Sequence, residues 1–252
     1  DDYLHTLIES YRICASDRDN ITFDYQGKDK KFLGTDDEYI RDKMSLFDKQ
    51  TAGKYNFPNP HGGGTAYMNA VDQNGLGISL IQSNFYGIGS RIGVGNFGFF
   101  LHNRGCGFNL IKGHPNILGP NKKPLHTLSP TIWSKDGSLD FIIGTRGGRY
   151  QPQLLAQTIL PYILGESSFE EIIKKPRWTL ENFGSNTSSN IKFEFIKEPE
   201  ISPLEDKGHT ISIENKLIGG YGPISTIYKN SDGNFVGVAD IRVGTEKAFN
   251  NF

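Results

Sequence analysis

Leu4, Leu7, Ile8, Tyr11 and Ile13 recur near helical spacing at the start of the chain, with acidic residues early and Arg12 and Arg18 late, as a helix dipole favours. Residues 2–17 are therefore expected to be helical, and a second short helix is expected over residues 36–47. The stretch DKQTAGKYNFPNPHGGG that follows mixes Pro, Asn and Gly without a period and reads as a loop. From Thr65 the pattern switches to alternation. TAYMNAVD, a DQNG turn and LGISLIQS predict a hairpin of half-buried strands, and a further strand is expected over residues 97–103. PTIWS and LDFIIG flank a KDG turn at residues 135–137 and predict another hairpin. PQLLAQTILPYIL from Pro152 reads as a helix, with Pro152 tolerated in its first turn and Gly165 at its C-cap; FEEIIKK from Phe169 reads as a shorter one. IKFEFI, HTISIE, ISTIYK and NFVGVADI fit late strands, the last two joined by an NSDG turn. This order of strands, helices and strands suggests helices layered against antiparallel sheet.

Composition agrees with a folded chain. Of 252 residues, 36% are hydrophobic and 22% charged, and 17 Phe and 11 Tyr supply anchors for sheet packing, which excludes a disordered polar chain. The formal net charge of −1 offers no attraction for nucleic acid or an anionic membrane, and no apolar run approaches a membrane span, so neither is expected as a partner. Two cysteines, Cys14 and Cys106, are too few for a secreted disulfide framework and favour a reducing, cytoplasmic setting. DDYLHTLIESYRI reads as a helix already under way rather than as a signal peptide, so the chain is expected to begin inside a fold. The GIGSRIGVG run misplaces the third glycine of GxGxxG and lacks the Lys-Ser or Lys-Thr pair of a P-loop; it reads as a flexible wall of a site. The histidines show no HExxH spacing and the cysteines no CxxC, so neither a metal nor another cofactor is expected.

The change of pattern at Gly62–Thr65 is where chemistry enters. A threonine hydroxyl is a poor nucleophile unless a base stands beside it, and a threonine at a chain start has its own α-amine, with a pKa of about 7.7–8.0, for that purpose. To be freed from the middle of a precursor, Thr65 must attack the carbonyl of Gly64, and a glycine there leaves that carbonyl open. Glycine-rich loops before strands are also ordinary, so the motif alone does not decide the matter.

The blocks YRICASDRD, GGGTAYMNAVDQNG, SLIQSNFYGIGS, GFFLHNRGCGFNL, GHPNILGPNKKPLHTLSPTI, GTRGGRYQPQ and a final ADIR resemble, in order and over nearly the whole chain, the gamma-glutamyltransferase family, in particular its transferase-like branch. The resemblance implies an α+β fold: a four-layer α/β/β/α N-terminal nucleophile hydrolase sandwich with largely antiparallel sheets. It implies a precursor about twice this length, cleaved into two subunits. Residues 1–64 then resemble the end of the large subunit with its processing loop, and residues 65–252 the small catalytic subunit. The rest of the large subunit is expected as a partner, on the same or a separate chain, with homo- and hetero-oligomers both open.

The resemblance also assigns roles. Thr65 matches the nucleophile and Gly64 the residue before the cut. Ser83 falls at a hydroxyl that orients the nucleophile, although a strand serine bonding its own backbone is the plain alternative. Asn84 lies one place out of register with a substrate-binding asparagine, where this chain has Phe85. Gly147 and Gly148 match a pair whose N–H groups form an oxyanion hole; a simple tight turn is the plain alternative, and both can hold. Arg146 and Arg149 beside them are expected to face solvent unless the substrate is anionic. His126 and Thr127 stand where the family has a serine pair near the glutamyl carboxylate, and Arg104 at the position of a polar donor. Gly107 replaces the acidic residue that holds the substrate's α-ammonium group, so recognition of free glutamate is in question while Arg104 suits a carboxylate. The implied activity is that of an autoprocessed N-terminal-threonine amidohydrolase or acyltransferase acting on gamma-glutamyl or related small acyl amides. A cephalosporin-acylase-like amidase for dicarboxylic acyl chains and a non-catalytic relic of the fold are the alternatives.

Overall fold

The computed structural model describes residues 2–25, 36–57, 64–181 and 184–249. In chain order its elements are α1 (Asp2–Ser16), α2 (Arg18–Ile21), α3 (Asp37–Met44), β1 (Tyr55–Phe57), β2 (Thr65–Val71), β3 (Gly77–Ser83), β4 (Thr131–Lys135), β5 (Ser138–Thr145), α4 (Gln151–Ile163), α5 (Phe169–Lys174), β6 (Trp178–Leu180), β7 (Gly184–Thr187), β8 (Asn190–Phe193), α6 (Glu198–Asp206), β9 (Thr210–Ile213), β10 (Ile224–Lys229) and β11 (Phe235–Val238). They fall into two compact units. One draws on residues 1–60, 103–126 and 180–214, the other on residues 61–102, 127–179 and 215–252.

In the first unit α1 forms as expected, but its buried stripe is more polar than the apolar periodicity implied. His5, Glu9 and Arg12 are buried beside Ile8 and Ile13, while Leu4, Leu7 and Tyr11 are only half-buried. Arg12 therefore does not serve the helix dipole. It pairs with Glu9, donates to the Gly53 carbonyl at 3.0 Å and lies over the Tyr55 ring, 5.0 Å from its centroid. Glu9 in turn accepts from the Gly53 N–H at 2.9 Å. A buried ion pair is tolerable only when such bonds satisfy both ends. These bonds fasten to α1 the segment that leads into β1, which pairs antiparallel with β7; the stretch expected to be all loop thus contains a strand. His5 and His209 meet at 2.7 Å, and burial, with the charges of His5, Arg12 and Lys207 adding to it, pushes His209 down to about 3. β8 and β9 run parallel within the largely antiparallel arrangement, and α6 is the crossover that a parallel pair requires. Pro199 and Pro203 hide α6 from propensity reasoning.

The second unit is layered. β11, β10, β5 and β4 form one antiparallel sheet in that order, and β2 and β3 form a separate hairpin. The KDG turn joins β4 to β5 with Asp136 at φ +50° and Gly137 at φ +77°, the left-handed pair that a tight hairpin needs. α4 and α5 cover one face of the sheet, where Phe141, Ile143, Leu155, Ile159, Phe169, Ile173, Ile224 and Tyr228 make the core. The hairpin covers the other face. Two glycines permit its close approach: a side chain on Gly144 would meet the Tyr67 ring at 2.1 Å, and one on Gly77 would meet Ile142 at 2.5 Å. The strand expected over residues 97–103 does not form. Residues 95–97 make a 3₁₀ turn that takes up Phe97, and Gly98 at φ +74° breaks the extended run. A single bridge, Gly93 to Phe100, remains of it.

Candidate active site

Thr65 is the first residue of β2 and is 9% exposed, opposite Ser83, the last residue of β3. Alternation sets its direction. Thr65, Tyr67 and Asn69 share the face turned to the larger sheet, while Ala66, Met68 and Ala70 point outward, with Met68 half exposed. The Thr65 hydroxyl donates to the Ser83 hydroxyl oxygen at 3.0 Å, and the same oxygen accepts from the Phe85 N–H at 3.0 Å. Ser83 thus makes both bonds weighed for it: it holds the Thr65 hydroxyl and it turns its own backbone.

That turn is unusual, because Phe85, a buried bulky residue, takes φ +77°. It throws the loop of residues 86–89 back toward the strand start. A side chain on Gly64 would meet the Gly87 carbonyl oxygen at 2.3 Å, so only glycine fits there. The Gly64 carbonyl accepts from the Asn84 N–H at 3.3 Å. The remaining glycines of the expected processing motif, Gly62 and Gly63, lie outside the described residues.

Gly147 and Gly148 follow β5 in the same unit, with φ of +127° and +57°, angles open to glycine and strained for other residues. Gly148 begins a single 3₁₀ turn leading into α4, so a turn is present whatever else the pair does. The turn is braced from behind. Gly222 backs onto it so closely that a side chain would meet the Arg146 carbonyl at 2.3 Å, and the Thr145 hydroxyl donates to the Pro223 carbonyl at 3.0 Å. Arg177 donates to the Gly222 carbonyl at 2.9 Å and pairs with Asp240 at 2.6 Å. Asp240 also accepts from the Ile224 N–H at 2.8 Å and the Arg242 N–H at 2.9 Å. Burial alone would raise the Asp240 carboxyl, but Arg177, these N–H groups and Arg242 outweigh it and hold it below the usual range. The ADIR block, which carried no role in the sequence, thus supplies the buried acid that holds the turn at residues 222–224, while its Arg242 donates to the Ile173 carbonyl at 2.8 Å and the Lys175 carbonyl at 2.9 Å. Arg146 and Arg149 are half-buried rather than turned fully to solvent.

Thr127 belongs to the same unit as Thr65 and is 3% exposed. Arg104, Gly107 and His126 belong to the other unit. There Arg104 and Gly107 open and close one 3₁₀ turn, and the Gly107 position faces the Leu125 carbonyl, 3.3 Å from where a Cβ would stand. The turn therefore lies against the segment that leads to His126. Arg104 is buried, which lowers its guanidinium pKa, and His126 is exposed. Among the described residues no cluster of three or more His, Cys, Asp or Glu could hold a metal, and no helix is long and apolar enough to cross a membrane.

A threonine at a strand start, two sheets packed face to face and helices on the outer face are the arrangement of an N-terminal nucleophile hydrolase fold. The family model for gamma-glutamyltranspeptidase matches residues 1–249, and the chain belongs to that family. It is 29% identical over 252 residues to a glutathione hydrolase-like YwrD proenzyme of Bacillus subtilis (strain 168), covering 96% of this chain and 46% of that protein. It is 32% identical over 190 residues to an oxamate amidohydrolase proenzyme of Klebsiella pneumoniae, covering 73% of this chain and 36% of the relative. Among solved structures, a cephalosporin acylase from Bacillus halodurans aligns over all of this chain and 46% of its own, with TM-score 0.83 and 24% identity. A gamma-glutamyltranspeptidase from Pseudomonas nitroreducens aligns with TM-score 0.61 and 18% identity, covering 73% of this chain and 99% of that one. The chain spans about half the length, or less, of the curated relatives it matches.

Proposed function

We propose that this chain is the catalytic portion of an autoprocessed N-terminal-threonine amidohydrolase or acyltransferase. The observation that carries this reading is the Thr65 hydroxyl bonded to Ser83, immediately after a glycine whose carbonyl is itself hydrogen-bonded. Cleavage after Gly64 would give residues 1–64 and 65–252 to separate subunits. It would also turn the Thr65 amide into an α-amine able to take the hydroxyl proton. The freed Thr65 attacks the substrate amide, the amine leaves, and the acyl-threonine ester passes its acyl group to water or to another amine. Ser83 holds the nucleophile's direction, and the N–H groups of Gly147 and Gly148 receive the developing oxyanion. The partner is the remaining part of the large subunit. Intact mass after purification tests the reading: two fragments are expected, one ending at Gly64 and the other beginning at Thr65, with Thr65→Ala remaining whole. A Thr65→Ala protein cut at the same bond would end the self-cleavage reading, and a wild-type protein that stays whole would favour a relic of the fold.

For the substrate, Gly107 favours an acyl chain without an α-ammonium group, since an ammonium taken out of water needs a carboxylate beside it. Arg104 favours a chain that ends in a carboxylate. This is the dicarboxylic acyl reading rather than the glutathione-type one. It predicts a higher kcat/KM for a glutaryl anilide than for the gamma-glutamyl anilide, with Gly107→Asp shifting the preference toward the latter. The added Cβ has room if Leu125 yields by a few tenths of an ångström. A clear wild-type preference for the gamma-glutamyl compound would overturn this assignment.

A further inference from the structure

Self-cleavage requires more than a nucleophile. As the Thr65 oxygen closes on the Gly64 carbonyl carbon, negative charge gathers on the Gly64 oxygen, and something must receive it while the chain is still whole. That oxygen is the one held by the Asn84 N–H at 3.3 Å. The contact lies beyond the last ladder pair, Thr65 with Ser83. The backbone that presents the N–H is bent there by the Ser83 hydroxyl, which accepts from the Phe85 N–H, and by the positive φ of Phe85. The Gly87 carbonyl stands against the other side of Gly64 and bars a side chain from it.

Resting on the self-cleavage reading, we propose that the backbone N–H of Asn84 is the oxyanion donor of the processing step, separate from the Gly147 and Gly148 donors assigned to substrate turnover. One serine then serves both halves of the reaction. Its oxygen takes the hydrogen bond of the attacking hydroxyl, and its grip on Phe85 aims the donor at the attacked carbonyl. In the step the Thr65 O–H bond breaks, its proton passing to the Ser83 oxygen that accepts it while Ser83 gives up its own, and a bond forms from the Thr65 oxygen to the Gly64 carbon, leaving a tetrahedral oxyanion on the Gly64 oxygen held by the Asn84 N–H. The carbon–nitrogen bond to Thr65 then breaks, and a proton returns to the Thr65 nitrogen. The result is an ester isomer of the chain with no net gain or loss of protons, and water divides the ester into the Gly64 carboxylate and a free Thr65. A hydrogen bond of this length in the resting state shortens as charge develops, which is how a donor favours the transition state over the ground state.

The test replaces this one N–H. In the full-length protein, alanine or its ester analogue lactic acid is placed at residue 84 by suppressor tRNA, and the loss of the uncleaved mass is followed with time. The ester at residue 84 should cleave roughly 10²-fold more slowly than the alanine amide at the same place, the usual loss on removing one oxyanion donor. The same ester placed at Gln82, two residues earlier in the hairpin, should cleave at the rate of its own alanine amide, which separates the donor's role from a general weakening of the ladder. Equal rates for ester and amide at residue 84, or equal slowing at residues 82 and 84, would overturn the proposal. Failure of the wild type to cut between Gly64 and Thr65 would instead remove the reading beneath it.

Discussion

At the closed end of the β2–β3 hairpin the Asp72 carboxylate accepts from the Asn74 and Leu76 N–H groups at 2.8 Å each, and the left-handed angle, φ +82°, falls on Gly75. At the open end the left-handed angle falls on Phe85, and Gly64 is pressed against a carbonyl. A left-handed conformation costs a residue with a side chain about 1–2 kcal/mol. The hairpin thus gives its glycine to the turn that only has to close, and leaves the strained angle where Thr65, Ser83 and the Gly64 carbonyl meet. Strain of that kind persists when neighbours over-determine it, and here the buried Phe85 side chain, tilted against the Tyr86 ring at 4.0 Å between centroids, and the Ser83 bond do so.

The largest expected effect comes from removing the attacking oxygen at the open end. Thr65→Ala should stay a single chain and lose turnover to the background level, as measured by intact mass and an anilide assay. Next is the support of turnover rather than processing: Gly148→Leu, forced into a left-handed angle and burying the donor turn under bulk, should lower the chemical step by roughly 10² or more. Wild-type turnover in that variant would remove Gly148 from the mechanism. Ser83→Ala should slow self-cleavage roughly ten-fold, about 1.4 kcal/mol in the barrier; an unchanged rate would mean that the serine only shapes the strand. The smallest effect belongs to the closed end. Gly75→Ala should destabilise the protein by about 1 kcal/mol in thermal or denaturant unfolding while leaving the cleavage rate alone. Slower cleavage in that variant would break the division of labour between the two ends.

Much of this hairpin is legible in the amino-acid order because its signals are local. Alternation from Thr65, DQNG at the turn and a glycine before the threonine each sit within a few residues of what they determine. The site's support was not legible. Arg177 lies far along the chain from Asp240 and Arg242, and charged residues are ordinarily read as solvent-facing until an ion pair buries them. In the same way His5, Glu9 and Arg12, which lie outside the apolar periodicity of α1, are buried because partners more than 40 residues away satisfy them.

The sequence by itself determined the family, the first helix, the two hairpins around residues 65–83 and 131–145, the nucleophile candidate and the glycine it would cut after. Each of these is carried by short patterns whose physics is local: side-chain period, turn chemistry and the need of a carbonyl for an open face. Only the tertiary structure decided that β1 pairs with β7, that β8 and β9 run parallel, that the Asn84 N–H meets the Gly64 carbonyl and that a buried acid holds the turn behind Gly147. Those contacts join segments brought together by folding, and their energies depend on burial and distance, neither of which is written in any single stretch of the chain.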